Sequence, residues 1–242
     1  MFKKLIATAL LTTIVTPSFA SLILQGTRVV YPSNSKTVSI LAENRGKNPV
    51  LAQSWIDDGV EIQNLSNDSG IPFILTPPIT KINPGKSQEI RLIYNKSPLP
   101  EDRESLYWLN VLDIPSQSKN QSNKNSLELT IRTRIKIFFR PSKIKENPLK
   151  APSQVEWTIS KINDVDHLKI NNPTPFYITF TKISLNGIED DVPPEMVAPF
   201  SETTIPLKKS HDFSQANSLK YTFINDLGAS IIEDAKLTKT SK

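Results

Sequence analysis

The chain has 242 residues, with 29 Lys+Arg against 24 Asp+Glu, 38% hydrophobic residues, 19 Pro, 7 Gly and no Cys. Such a length suits one or two domains, and 22% charged residues beside that apolar fraction exclude disordered and collagen-like chains. Without Cys, and with only His167 and His211, the sequence supports no disulfide framework, thiolate metal site, cysteine nucleophile or histidine-built zinc site, so neither metal nor cofactor is expected.

Residues 1–20 read as an export signal. Lys3 and Lys4 precede an apolar-rich stretch from Leu5 to Val15, and Ser18-Phe19-Ala20 places small residues at −3 and −1 of a cleavage site after Ala20. The stretch is shorter than the roughly 18 apolar residues of a membrane span, and no later run reaches that length, so an exported chain beginning at Ser21 is predicted, with no integral membrane segment. Residues 21–144 then carry 16 Lys+Arg and 11 Asp+Glu, while residues 145–242 carry 11 and 13. This asymmetry indicates a local anion site; it falls short of the basic, aromatic-rich footprint of a nucleic-acid binder.

Strand patterns follow in order: Leu22–Tyr31, Lys36–Glu43, Val50–Ile56, Ser87–Tyr94, Ser105–Asp113, Leu127–Phe139, Val155–Ile162, His167–Ile170, Tyr177–Leu185, Thr203–Leu207 and Leu219–Ile224. Pro- and Asn-rich breaks such as Thr76-Pro77-Pro78 and Asn172-Pro173-Thr174-Pro175 separate them, and no window holds a capped 3.6-residue apolar stripe. The predicted fold class is all-β, with two immunoglobulin-like sandwiches divided in the Pro-bounded seam from Arg140 to Pro148: residues 21–144 and 145–242. Trp55, Trp108 and Trp157 sit in apolar strands and are assigned to core packing, the first two in the first sandwich. The apolar-free tract Ser116–Ser126 is read as a solvated loop.

The strand after that tract carries the functional signal. Leu127, Leu129, Ile131, Thr133, Ile135, Ile137 and Phe139 share one face, while Glu128, Thr130, Arg132, Arg134, Lys136, Phe138 and Arg140 share the other, so an almost wholly apolar face backs a mostly cationic one. Spanning 14 residues from Ser126 to Phe139, it exceeds the usual 3 to 10. Either the strand is central, with its apolar face in the core, or its first half projects and is lent to a partner by β-augmentation.

Six blocks carry a family likeness: G-T-R-V-V-Y-P at 26–32, L-P-E-D-R-E-S-L-Y-W-L-N at 99–110, D-I-P at 113–115, T-R-I-K-I-F-F-R-P at 133–141, N-N-P-T-P-F-Y-I-T-F at 171–180 and I-N-D-L-G at 224–228. In these blocks the chain resembles the periplasmic chaperones of the chaperone-usher pilus pathway, over nearly all of the predicted mature chain. Both the sandwich and the donor-strand complementation of such chaperones are known examples of their kinds. The resemblance implies a boomerang of two immunoglobulin-like domains that binds pilus subunits one to one and hands them to an outer-membrane usher. It also implies roles: Arg28 and Lys136 anchor the subunit's C-terminal carboxylate; Leu127, Leu129 and Ile131 form the donor strand; Arg140, Glu104 and Asp226 form an interdomain salt bridge. The short, cysteine-free segment between Pro115 and Leu127 resembles the short-loop subgroup. Sticky edges also leave room for self-association of the free form.

Enzymatic readings find little support. His211 adjoins Asp212, but no Gly-x-Ser-x-Gly elbow supplies a nucleophile. Glu189-Asp190-Asp191 lacks the spacing of an EF-type calcium loop, and the scattered glycines form no phosphate cradle. The chain is therefore read as a non-enzyme. The rival reading, a pilin or carbohydrate-binding adhesin, would require a single incomplete domain with an N-terminal donor extension and a cysteine pair, or tryptophans free to stack on sugars.

Overall fold

The computed structural model describes residues 21–59, 70–115, 129–190, 196–207 and 218–239. The leader, the Ser116–Ser126 tract, Leu127 and His211 lie outside the described residues. Seventeen strands and one 3₁₀ turn, Pro152–Gln154, make up the regular structure described.

The first sandwich contains β1 (Leu22–Leu24), β2 (Arg28–Pro32), β3 (Val38–Asn44), β4 (Val50–Asp57), β5 (Phe73–Thr76), β6 (Ile79–Ile82), β7 (Ser87–Tyr94), β8 (Ser105–Pro115) and β9 (Ile131–Arg140). A four-stranded sheet, β1-β3-β7-β5, faces a five-stranded sheet, β2-β9-β8-β4-β6. Alternating apolar residues fill the space between them: Ile40, Ala42, Ile90, Leu92, Leu109 and Ile137 are each at most 4% exposed. Tyr31 lies among the rings of Phe73, Tyr94 and Phe139, at centroid distances of 5.3, 6.5 and 6.1 Å. Its hydroxyl accepts the Tyr94 N–H at 3.1 Å, so the polar end of a fully buried ring is satisfied.

The second sandwich contains β10 (Glu156–Ile162), β11 (Val165–Asn172), β12 (Ile178–Leu185), β13 (Ile188–Asp190), β14 (Met196–Val197), β15 (Ser201–Pro206), β16 (Ser218–Ile224) and β17 (Ser230–Lys239). They run in the order β13-β12-β16-β17-β10-β11-β15, with β14 beside β12. Trp157, Phe180 and Tyr221 centre the core, with ring centroids 4.9 to 5.5 Å apart. The all-β fold class is therefore as predicted.

Local pattern and observed fold differ in several places. The run Leu22–Tyr31, read as one strand, is broken at Gly26 (φ +118°): β1 pairs with β3 in one sheet, and β2 pairs parallel to β9 in the other. Only a residue without Cβ adopts that backbone easily, so glycine is where the chain changes sheets. Trp157 is in the second core, but Trp55 and Trp108 are not in the first: they lie half-buried on the outer face of the five-stranded sheet, because odd positions of β4 and even positions of β8 point away from the sandwich. Five short or charged strands, β5, β6, β13, β14 and β17, were not foreseen. In β17 the inward row is interrupted by Glu233, whose carboxylate accepts the Tyr221 hydroxyl at 2.8 Å, so the acid hides the alternation of Ile231, Ala235 and Leu237.

Replacing Gly26 by Ala imposes a disfavoured positive φ on a residue with Cβ. We expect a loss of roughly 1–3 kcal/mol in urea unfolding, with an unchanged m value.

Candidate functional site

Two cations meet where β2 and β9 pair. The strands run parallel with Arg28 opposite Lys136, Val30 opposite Phe138 and Pro32 opposite Arg140. Because partners in register project to the same face, Arg28 and Lys136 stand side by side on the outer surface of the sheet. Lys136 Nζ donates to Thr179 Oγ1 at 3.1 Å and lies 5.6 Å from the Trp108 ring centroid. Arg28 Nη1 donates to the Ile224 carbonyl at 2.9 Å, its guanidinium lies 5.6 Å from the Phe138 centroid, and its buried Nε has no partner.

Among the described residues neither cation has a carboxylate within salt-bridge distance. The nearby acids are engaged elsewhere. Arg140 takes Glu104 at 2.7 Å and Asp226 at 2.7 Å, with a second Asp226 contact at 3.0 Å. Burial lowers the pKa of Arg28, and the more distant charges of Asp226 and Glu104 only partly restore it. Burial, then repulsion from Arg28, brings the Lys136 ammonium down to about 8. A pair of desolvated cations with spare donors is suited to an incoming anion, above all a planar carboxylate.

The site is a junction between the two sandwiches. Glu104 and Arg140 come from the first domain and Asp226 from the turn after β16. The Glu104 side chain is 1% exposed, and its second oxygen accepts the Tyr177 backbone N–H at 2.9 Å. Burial pushes the Glu104 carboxyl up, while Arg140 and the Tyr177 N–H pull it back. Phe138 is 2% exposed and packs on Tyr177 of the second domain with centroids 5.8 Å apart. Sequence reading placed Phe138 on the cationic face without assigning it a role. A lone aromatic within a charged row was the available signal that this part of the face is covered.

Lys136, Phe138 and Arg140 thus touch the second domain. β8 pairs with β9 along its length, from Ser105–Phe139 to Asp113–Ile131, but β2 covers only residues 136–140. The opposite edge of residues 131–135 has no strand beside it among the described residues. There Ile131 is 50% exposed and Leu129, described but outside the strand, is 70% exposed, whereas Ile135 is 6% exposed. The long predicted strand is therefore neither wholly central nor wholly projecting. Its second half belongs to the core, and of its first half the described residues 131–135 offer an open edge, with Leu129 and Ile131 exposed. On the opposite, outer face the Lys136 neighbour Arg134 is occupied: it pairs with the buried Asp57 at 2.5 Å and lies 4.3 Å from the Trp108 centroid. No group of three metal-ligating side chains occurs among the described residues.

The described site thus consists of two β-sandwiches, an open strand edge and a cation pair at the end of that edge. Residues 21–145 match the model of the pili and flagellar-assembly chaperone PapD N-terminal domain, and residues 150–235 match that of the pili assembly chaperone PapD C-terminal domain. The chain belongs to this family of pilus-assembly chaperones. The probable fimbrial chaperone YadV of Escherichia coli K12 is 38% identical over 227 residues, covering 91% of each chain. The CupB2 chaperone of Pseudomonas aeruginosa is 36% identical with a TM-score of 0.73, covering 89% of this chain and all of that one. The SafB chaperone of Salmonella enterica, solved with the SafA pilin, is 25% identical with a TM-score of 0.76, covering 92% of this chain and 99% of that one. Fimbrial chaperones of this family act in the periplasm, and no helix among the described residues is long and apolar enough to cross a membrane.

The Lys136 shift makes a test of the site possible without a partner. Its folded pKa of about 8 lies below the roughly 10.4 of an unfolded lysine. The charged form therefore disfavours folding, a cost fully present below pH about 8 and gone as pH approaches about 10.4. Lys136→Met should stabilise the isolated protein at pH 7, with the gain shrinking as pH rises above about 8, measured by urea unfolding over a pH series.

Proposed function

We propose that this chaperone captures pilus subunits one to one by donor-strand complementation and passes them to an outer-membrane usher without catalysing any reaction. The observation that carries the proposal is the placement of the Arg28–Lys136 pair at the inner end of the open β9 edge. A subunit strand laid along residues 129–135 would bring its C-terminal carboxylate to the two cations. Each charge-assisted bond is worth about 1.5–3 kcal/mol, and anchoring the terminus fixes the register, since a slip of one residue turns every side chain to the other face.

In this reading Leu127, Leu129 and Ile131 enter the subunit. Three aliphatic side chains at about 1.5–3 kcal/mol each supply roughly 5–9 kcal/mol gross, reduced by the cost of association to a reversible affinity. The Arg140–Glu104–Asp226 bridge holds the two domains at the angle that keeps the cleft open. In the same reading residues 1–20 direct export and are removed after Ala20, the domains divide at 144/145, and the short segment before Leu127 suits the short-loop subgroup. Support comes from the likeness to SafB, which is solved in complex with a pilin.

Co-expression with the cognate subunit should yield a 1:1 periplasmic complex. Arg28→Ala or Lys136→Ala should reduce it about 10- to 100-fold while the isolated protein stays folded. Ile131→Asp should do the same by placing a charge in the subunit core, and an undiminished complex from all three variants would overturn the mechanism. Because the ammonium, not the amine, holds the carboxylate, affinity for the subunit should fall as pH is raised above about 8, with Lys136→Arg flattening the dependence in a binding titration.

A further inference from the structure

One buried carboxylate in the first domain has an unmet oxygen, and it lies at the root of the open strand edge. Asp113 follows Leu109 and Val111 on the inner face of β8, is 6% exposed, and is the register partner of Ile131, the first residue of β9. Its Oδ2 accepts a hydrogen bond from the Ser21 hydroxyl, while its Oδ1 is buried without a partner. Among the described residues no Lys or Arg forms a salt bridge with it. Buried carboxylates of this kind are normally matched by a cation or by further donors.

Ser21 is held in place from its other side. Its carbonyl accepts the N–H groups of Arg45 at 2.8 Å and Gly46 at 3.3 Å, and a Cβ at position 46 would approach the Ser21 Cβ to 3.1 Å. The Ser21 nitrogen is joined to the carbon that bears the Asp113-bound hydroxymethyl group, so it is confined to the neighbourhood of the same carboxylate. In the uncut chain that nitrogen is a neutral amide.

We propose that removal of the leader completes this site: the new α-ammonium of Ser21 pairs with Asp113 and pins the mature N-terminus beneath the start of the capture strand. The step is hydrolysis of the Ala20–Ser21 peptide bond by a signal peptidase. Water supplies the hydroxyl that leaves with the Ala20 carboxyl, and the freed nitrogen gains protons to become the ammonium. Maturation thereby links β1 of one sheet to β8 of the other by an ion pair absent from the precursor, beside the residue at which β9 leaves its last partner. The pair rests on the proposed cleavage position and is independent of the subunit-binding mechanism.

A cytosolic precursor whose leader ends in a tobacco-etch-virus protease site directly before Ser21 separates the pair from the export machinery. Cleavage should raise Tm by about 3 °C or more, and the rise should vanish in Asp113→Asn. In the cleaved wild-type protein the terminal amine, followed by NMR, should titrate above the roughly 7.7–8.0 of a free terminus, a readout that stands even if the variant fails to fold. An unchanged Tm on cleavage, a rise that persists in Asp113→Asn, or an amine that titrates as a free one would overturn the ion pair. Intact mass of the periplasmic protein should begin at Ser21; another start would overturn the cleavage position and the role of maturation, whatever the protease-cut form shows.

Discussion

Two like charges placed in register on adjacent parallel strands are the constraint on which the functional surface depends. Arg28 and Lys136 repel one another, are partly desolvated, and keep donors that the described chain does not saturate. A folded chain tolerates this because its remaining contacts over-determine the two strands: Tyr31, Ile137 and Phe139 sit in the first core on the opposite face. The strain is local and electrostatic.

The second domain sharpens the same site. Glu104 is the acid with the most buried charge at the junction, and Arg140 together with the Tyr177 N–H satisfies it. Burial of this kind adds little net stability, since desolvation consumes most of the attraction, but a broken pair would leave an uncompensated charge. The bridge therefore joins the two domains without being a large source of stability. With Asp226 on Arg140 and Phe138 on Tyr177, the acids near the cleft are held by Arg140, leaving Arg28 and Lys136 unneutralised. Interdomain packing and the unneutralised state of the two cations thus follow from one partition of charges.

Much of this was legible from residue order. The period-2 alternation from Leu127 to Phe139 and the turn-forming Pro and Asn clusters led to an all-β chain. The missed elements share a cause. In β17 Glu233 faces inward and is neutralised by a tyrosine hydroxyl, so composition alone made the strand look like a polar tail. Trp55 and Trp108 were assigned to the core by hydrophobicity, yet the alternation of β4 and β8 turns them outward, where Trp108 lies under the cations of Arg134 and Lys136. Gly26 was the one signal that the first predicted strand is two, and its meaning depends on which sheet receives each half.

By itself the amino-acid sequence determined the strand class, the division into two sandwiches and the amphipathic character of the lending strand, because side-chain alternation is a property of neighbouring residues. Only the tertiary structure decided that Arg28 faces Lys136, that β2 stops short of residues 131–135, and that Phe138 closes against the second domain. Those outcomes depend on which distant strands pair and in which register, and that choice is made by the packing of whole sheets against one another, not by any local period.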